Sequence, residues 1–208
     1  MGIAERKERE KAERRRSILE AARELIKEKT FEEITMEEIA RSLELSRATI
    51  YLYFSNKSEI FATLLIEGMR ELKQGYEQAQ VEGISEPMDK VRALAIAFFQ
   101  FYAANHHYFD LIVTKRNELL RDSSEEVQAE FSEAGSAVID PVADVYQQGI
   151  DGGRFPKFPP EKMAYLLRAV AIGMAVGFRE GNLKFPEDIA LMEQLVMFGV
   201  KGAQNEGG

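Results

Sequence analysis

The sequence of 208 residues predicts an all-α protein of about nine helices, and three observations carry that prediction. Apolar residues recur at three- and four-residue spacing in one segment after another, which is the period of a helix with one buried face. No segment sustains strict apolar–polar alternation, and no Asn-Gly or Asp-Gly turn joins two β-branched runs, so hairpins are not expected. Glycine and proline cluster between the periodic segments, at Gly83, Ser85 and Pro87 and again at Asp151-Gly152-Gly153 with Pro156, Pro159 and Pro160.

The first helix is predicted over 5–29. Its early half alternates acidic and basic side chains, and its later half sets Ile18, Leu19, Ala22, Leu25 and Ile26 on one face. Phe31 and Ile34 then close it onto a second helix, 35–43. There Thr35 supplies a capping hydroxyl, Glu37 and Glu38 suit a helix N-terminus, and Ile39, Ala40 and Leu43 share a face. After a short turn Ser46 caps a third helix that begins at Arg47. It places Arg47, Thr49, Tyr51 and Tyr53 around the apolar Ile50 and Phe54. Two short helices in this order form a helix-turn-helix, whose second member is short, exposed and rich in hydrogen-bonding groups. Asn56 with Glu59 forms a capping box for a fourth helix running to about Gln80, with Ile60, Phe61, Leu64, Leu65, Met69, Leu72 and Tyr76 on its apolar face. This helix joins a head, 1–57, to a body, 58–208.

In the body a helix begins at about Met88, and its stretch Leu94–Tyr102 is apolar nearly all round, which predicts burial on every side. A shorter helix is expected over 109–120 and a long one over 125–150, with Pro141 kinking or breaking it near Val138. Helices over 161–180 and 187–203 follow, separated by Gly181-Asn182, and the last few residues are expected to fray.

Composition removes several function classes. With no cysteine there is no disulfide, thiolate chemistry or cysteine-based zinc site. No apolar run reaches the length of a membrane span and the N-terminal segment is highly charged, so a cytoplasmic protein without a membrane partner is expected. His106 and Asp110 are spaced for a shared helix face, but no third ligand accompanies them and no metal site is expected. The sequence shows no nucleophile–base pair and no phosphate loop, so catalytic residues and cofactors are expected to be absent. Net charge is −8, yet residues 1–57 hold 13 basic against 12 acidic side chains, leaving 14 against 23 in 58–208. The acidity therefore lies in the body, while the head balances at +1, so contact with phosphate depends on where its positive groups point.

The run Thr35 to Lys57, with its Ser-Arg-Ala-Thr-Ile-Tyr-x-Tyr-Phe core, resembles the DNA-binding domain of the TetR/AcrR family of transcriptional regulators. That resemblance implies double-stranded DNA as a partner and Thr35, Ser46, Arg47, Ala48, Thr49, Tyr51, Tyr53 and Lys57 as its contacts. Arg47 suits a guanine edge, Ala48 a thymine methyl, and the hydroxyls and Lys57 mainly phosphate. Arg14, Arg15 and Arg16 fit either a solvated charged face or a helix start lying along the DNA backbone. In the body, the resemblance implies a cavity for a small hydrophobic effector, with Phe98, Tyr102, Phe109, Ile112, Tyr146, Met174 and Phe178 as candidate lining, and a repressor released when it fills. It also implies a homodimer through the last two helices, with Leu166, Val170, Gly173, Gly177, Leu195 and Gly199 as candidate contacts. The alternative is a DNA-binding protein of the same type without an effector, whose body recruits a protein partner. One departure stands out: the turn holds Glu44 where many relatives have glycine, which costs about 1 kcal/mol if the position needs positive φ.

Overall fold

The computed structural model describes residues 2–79, 83–184, 187, 188, 190, 191 and 194, and among them are nine helices and no strand. In chain order they are α1 (Ile3–Glu28), α2 (Met36–Ser42), α3 (Arg47–Tyr51), α4 (Lys57–Gln78), α5 (Pro87–Ala104), α6 (His106–Thr114), α7 (Arg116–Arg121), α8 (Glu125–Asp151) and α9 (Pro160–Arg179). The expected helix over 109–120 is two, α6 and α7, and it starts earlier, at His106. The expected helix over 187–203 lies mostly outside the described residues.

The chain forms two compact units that no single cut separates. One contains the residues up to Gly68 together with His106–Ala134; the other contains Met69–Asn105 and the described residues from Gly135 onward. A division after Lys57 would assign α6 and α7 to the body, but their packing puts them with the head.

In the first unit, the apolar stripe of α1 is buried at Ile18, Leu19, Ala22 and Ile26, as are Ile34, Ile39, Ile50, Phe54, Ile60, Phe61 and Leu64. Each of the Ile, Leu and Phe side chains stabilises the unit by about 1.5–3 kcal/mol relative to exposure, and Ala22 by less. Phe31 meets Phe61 edge-on, with ring centroids 5.3 Å apart. Polar bonds then bring α6 and α7 in. Arg23 donates to the Tyr108 hydroxyl at 2.6 Å and to Glu67 at 2.7 Å, and Asn56 donates to the Asp122 carbonyl at 2.7 Å. His107 is buried, and neither ring nitrogen has a hydrogen-bond partner.

In the second unit, α5 buries Val91, Leu94, Ala95, Phe98, Phe99 and Tyr102. Burial is not complete all round, because Ile96 remains 38% exposed. Pro141 does not break α8, which is helical from Glu125 to Asp151. Losing one backbone donor inside a helix costs about 3 kcal/mol. Val138 and Ile139 before the proline, and Val145 and Tyr146 after it, are all buried and offset that cost. Tyr146 stacks on Phe155 at 5.2 Å, and Phe99 meets Phe178 edge-on at 5.3 Å.

Candidate nucleic-acid interface

The geometry of the head begins with its caps. Thr35 accepts from the Glu38 amide at 3.1 Å while the Glu38 carboxylate accepts from the Thr35 amide at 3.1 Å, a reciprocal box that fixes the start of α2. Ser46 accepts from the Thr49 amide at 3.1 Å, and its hydroxyl lies 2.8 Å from the Thr49 hydroxyl, which fixes the start of α3. Between them the turn is a Schellman motif: Leu45 donates to the Ala40 carbonyl at 2.9 Å and Glu44 to the Arg41 carbonyl at 3.1 Å. Glu44 has a φ of 56°, the one positive value for a non-glycine among the described residues. The turn keeps its geometry and Glu44 carries the strain, as the departure from glycine implied.

These caps leave one face of α3 open. Ser46, Arg47, Ala48 and Tyr51 are exposed and Thr49 is half-buried, while Ile50 is fully buried and anchors the helix from beneath. The Arg47 guanidinium lies along this face, donating to the Tyr51 hydroxyl at 3.1 Å and approaching Glu37 at 4.0 Å. One turn of helix separates Arg47 from Tyr51, so the pair is pre-extended at the surface, where a base edge or phosphate can replace those contacts. Leu52, which the sequence reading passed over, is 76% exposed at the end of α3. Tyr53 is half-buried.

Two cations act inward. Lys57 donates to the carbonyls of Phe31 and Ile34 at 2.5 and 2.8 Å and sits 4.0 Å above the Phe31 ring. Burial lowers the pKa of this ammonium, with Glu32 pulling the other way. Expected to face phosphate, Lys57 instead closes the α1–α2 connection, because the two unpaired carbonyls there lie within reach of its stem. Arg15 donates to the Tyr53 carbonyl at 2.5 Å and lies over the Phe54 ring at 4.1 Å, so it holds the end of α3. Its neighbours Arg14 and Arg16 are exposed. The signal that distinguishes Arg15 was available: it lies three and seven residues before Ile18 and Ala22, on the buried face of α1.

In the second unit a cavity of about 50 Å³ is walled by α4, α5, α8 and α9. Of the candidate lining residues it includes Phe98. Tyr102 instead donates to the Ala175 carbonyl at 2.7 Å, and Tyr146 donates to the Pro156 carbonyl at 3.1 Å. Phe178 packs on Phe99, Met174 is buried away from this cavity, and Phe109 and Ile112 belong to the first unit. The resemblance offered them as lining, but which neighbours each meets depends on how the helices cross. The walls that the sequence reading did not name include Tyr76, Leu94, Ile139, Arg168 and Ala171.

On α9, Tyr165, Leu166 and Val170 are exposed at 42%, 61% and 37%, and a side chain placed on Gly173 would meet open space. Gly177 differs: a Cβ there would fall 2.8 Å from Leu183 of the same chain, so its missing side chain admits that residue and not a partner. Leu195 and Gly199 lie outside the described residues.

An exposed short helix, capped at Ser46 and set on a tight turn after a second capped helix, is the architecture of a helix-turn-helix DNA-binding protein. Comparison with known proteins specifies the kind. The model for bacterial regulatory proteins of the tetR family matches residues 18–64. The HTH-type transcriptional regulator YfiR of Bacillus subtilis is 30% identical over 193 residues, covering 86% of this chain and 85% of that protein. The Bacillus subtilis fatty acid metabolism regulator protein is 26% identical over 136 residues, 65% of this chain and 68% of its own. Among solved structures, a tetR-family regulatory protein from Rhodococcus RHA1 superposes with a TM-score of 0.72 at 22% identity, over 89% of this chain and 96% of that one. The transcriptional regulator FadR from Bacillus subtilis, in complex with stearoyl-CoA, gives 0.68 at 20% identity over 89% and 97%. The chain belongs to the TetR family of transcriptional regulators. No helix among the described residues is long and apolar enough to cross a membrane.

Proposed function

We propose that this chain is a cytoplasmic, homodimeric, ligand-responsive repressor that binds a palindromic operator and is released by a small hydrophobic effector. The observation that carries the DNA-binding part is α3, capped at Ser46, anchored by Ile50 and presenting Arg47 on Tyr51 to solvent. The exposed Tyr165, Leu166 and Val170 of α9 support a twofold mate, which would set two heads at successive major grooves about 34–36 Å apart. The relationship to a fatty acid metabolism regulator, and the fold shared with a regulator that binds stearoyl-CoA, favour an effector with an aliphatic chain.

Selection of bound sequences from a random DNA pool tests this reading. The expected result is an inverted repeat whose half-sites lie about 10 base pairs apart, centre to centre. Arg47→Ala is expected to lose about 1–3 kcal/mol of discrimination at one position of each half-site. Enrichment of an asymmetric site, or equal loss on specific and random DNA for Arg47→Ala, overturns it. A saturating effector should raise stability by about 2.7 kcal/mol at 100 times its Kd and release the DNA.

A further inference from the structure

The cavity in the second unit is apolar along Leu94, Phe98, Ile139 and Ala171, and polar only where Tyr76 and Arg168 enter it. Arg168 is half-buried, its Nε is fully buried, and that Nε has no hydrogen-bond partner. The guanidinium carbon lies 5.0 Å from the centroid of the Tyr165 ring, a contact that satisfies no N–H. Tyr76 is buried beside it, and the two are close enough for the arginine's charge to act on the phenol, whose pKa burial drives upward.

A buried donor left without an acceptor costs about 1–3 kcal/mol, and more when the group is charged. Arginine cannot relieve the cost by losing its proton. A water in this cavity of about 50 Å³ would find Tyr76 and Arg168 as its polar side-chain partners, the fewest that hold one, and would leave the charge without a counter-ion. An anion is a good solution, because Nε–H and an adjacent Nη–H form a parallel fork that matches two oxygens of a carboxylate or phosphate. The apolar walls beyond the fork suit an aliphatic tail, with the headgroup at the half-exposed arginine and the tail directed inward.

We infer that this cavity binds an anionic amphiphile, a carboxylate or phosphate on an aliphatic tail, with Arg168 as the anchor of its headgroup. The inference rests on the effector reading above and narrows it to one charge type. The tail is larger than the existing space, so it enters by parting side chains such as Val142 and Leu167, which line the same cavity.

Calorimetric titration of the full chain with sodium octanoate, octyl phosphate and 1-octanol tests it. At least one anion should bind about tenfold or more tightly than octanol, a difference of about 1.4 kcal/mol, and the preferred anion identifies the headgroup. Arg168→Gln should lower anion affinity about tenfold while leaving octanol within about twofold, and Arg168→Lys should recover part of the loss because it keeps charge without the fork. Equal binding of all three compounds, or indifference to Arg168→Gln, overturns the anchor and leaves the effector reading intact. A fall in anion affinity accompanied by a change in oligomeric mass also counts against it. Silence from all three overturns the anchor, and the effector reading fails with it only if a wider panel of hydrophobic compounds is silent as well.

Discussion

Each unit holds a side chain with buried nitrogen that lacks a hydrogen-bond partner, both ring nitrogens of His107 in the first and the Nε of Arg168 in the second, and the two differ in how they tolerate it. Burial lowers the imidazole of His107 from its usual 6.5 to about 4, with His106 and Lys27 acting in the same direction and Asp110 opposing them. At neutral pH it is an uncharged ring set edge-on against Tyr108, with centroids 4.7 Å apart, so it packs as an aromatic. Arg168 has no neutral form to adopt. The other inward cations, Lys57 and Arg15, end on backbone carbonyls. A group that can discharge fits a closed core, whereas one that cannot either finds an acceptor in its own chain or keeps a place for one from outside.

Acid provides the strongest test of this contrast. Because the fold disfavours protonated His107, its neutral state carries no penalty above pH 6.5. As pH falls from 6.5 towards 4 the unfolded chain takes up a proton that the folded chain refuses. Stability should therefore fall across that window by at most about 3 kcal/mol, and His107→Phe should remove this part of the loss. Urea midpoints of the two proteins measured against pH give the difference directly. Parallel curves would show that His107 finds a partner or solvent on protonation.

Lys57 comes next. Replacing it with Met keeps the stem but strands the carbonyls of Phe31 and Ile34, at a cost of about 2 kcal/mol in urea unfolding. The same variant separates the two roles considered for this residue. A phosphate contact predicts that the salt dependence of DNA binding flattens by about one unit, and a purely internal role predicts an unchanged slope.

The smallest effects compare two turns built alike. At the end of α9, Gly181 has a φ of 75° and Asn182 donates to the Gly177 carbonyl at 2.9 Å, the pattern that Glu44 and Leu45 form at the end of α2. Glu44→Gly should stabilise the head by about 1 kcal/mol and Gly181→Ala should destabilise the body by a similar amount. Thermal unfolding of both single variants checks the pair. Equal and unchanged midpoints would mean that neither turn is limiting.

Much of the head was legible in its residues, because its signals are local. Thr35 with Glu38, Ser46 with Thr49 and Asn56 with Glu59 are caps closed within three residues, and each forms the bond its spacing implies. The positive φ at Glu44 was foreshadowed only by the resemblance, through the glycine that many relatives carry in the turn. The body was less legible. The family resemblance offered Tyr102, Tyr146, Met174 and Phe178 as cavity lining, and all but the half-buried Phe178 are buried, yet which neighbours they meet depends on how separate helices cross. The break at Pro141 fails to occur for a related reason. Its local preference to interrupt α8 is outweighed by apolar rows on both sides of it, a tertiary effect that spacing does not reveal.

The sequence by itself determined the helical class and the position of the helix-turn-helix, since each follows from interactions that close within about one turn of chain. Tertiary structure alone decided that α6 and α7 pack with the head, that Lys57 and Arg15 turn inward, that Gly177 admits Leu183, and that the Nε of Arg168 lacks an acceptor. The physical reason is distance along the chain. A cation's partner, or its lack of one, is set by groups tens of residues away, whose approach depends on the packing of whole helices.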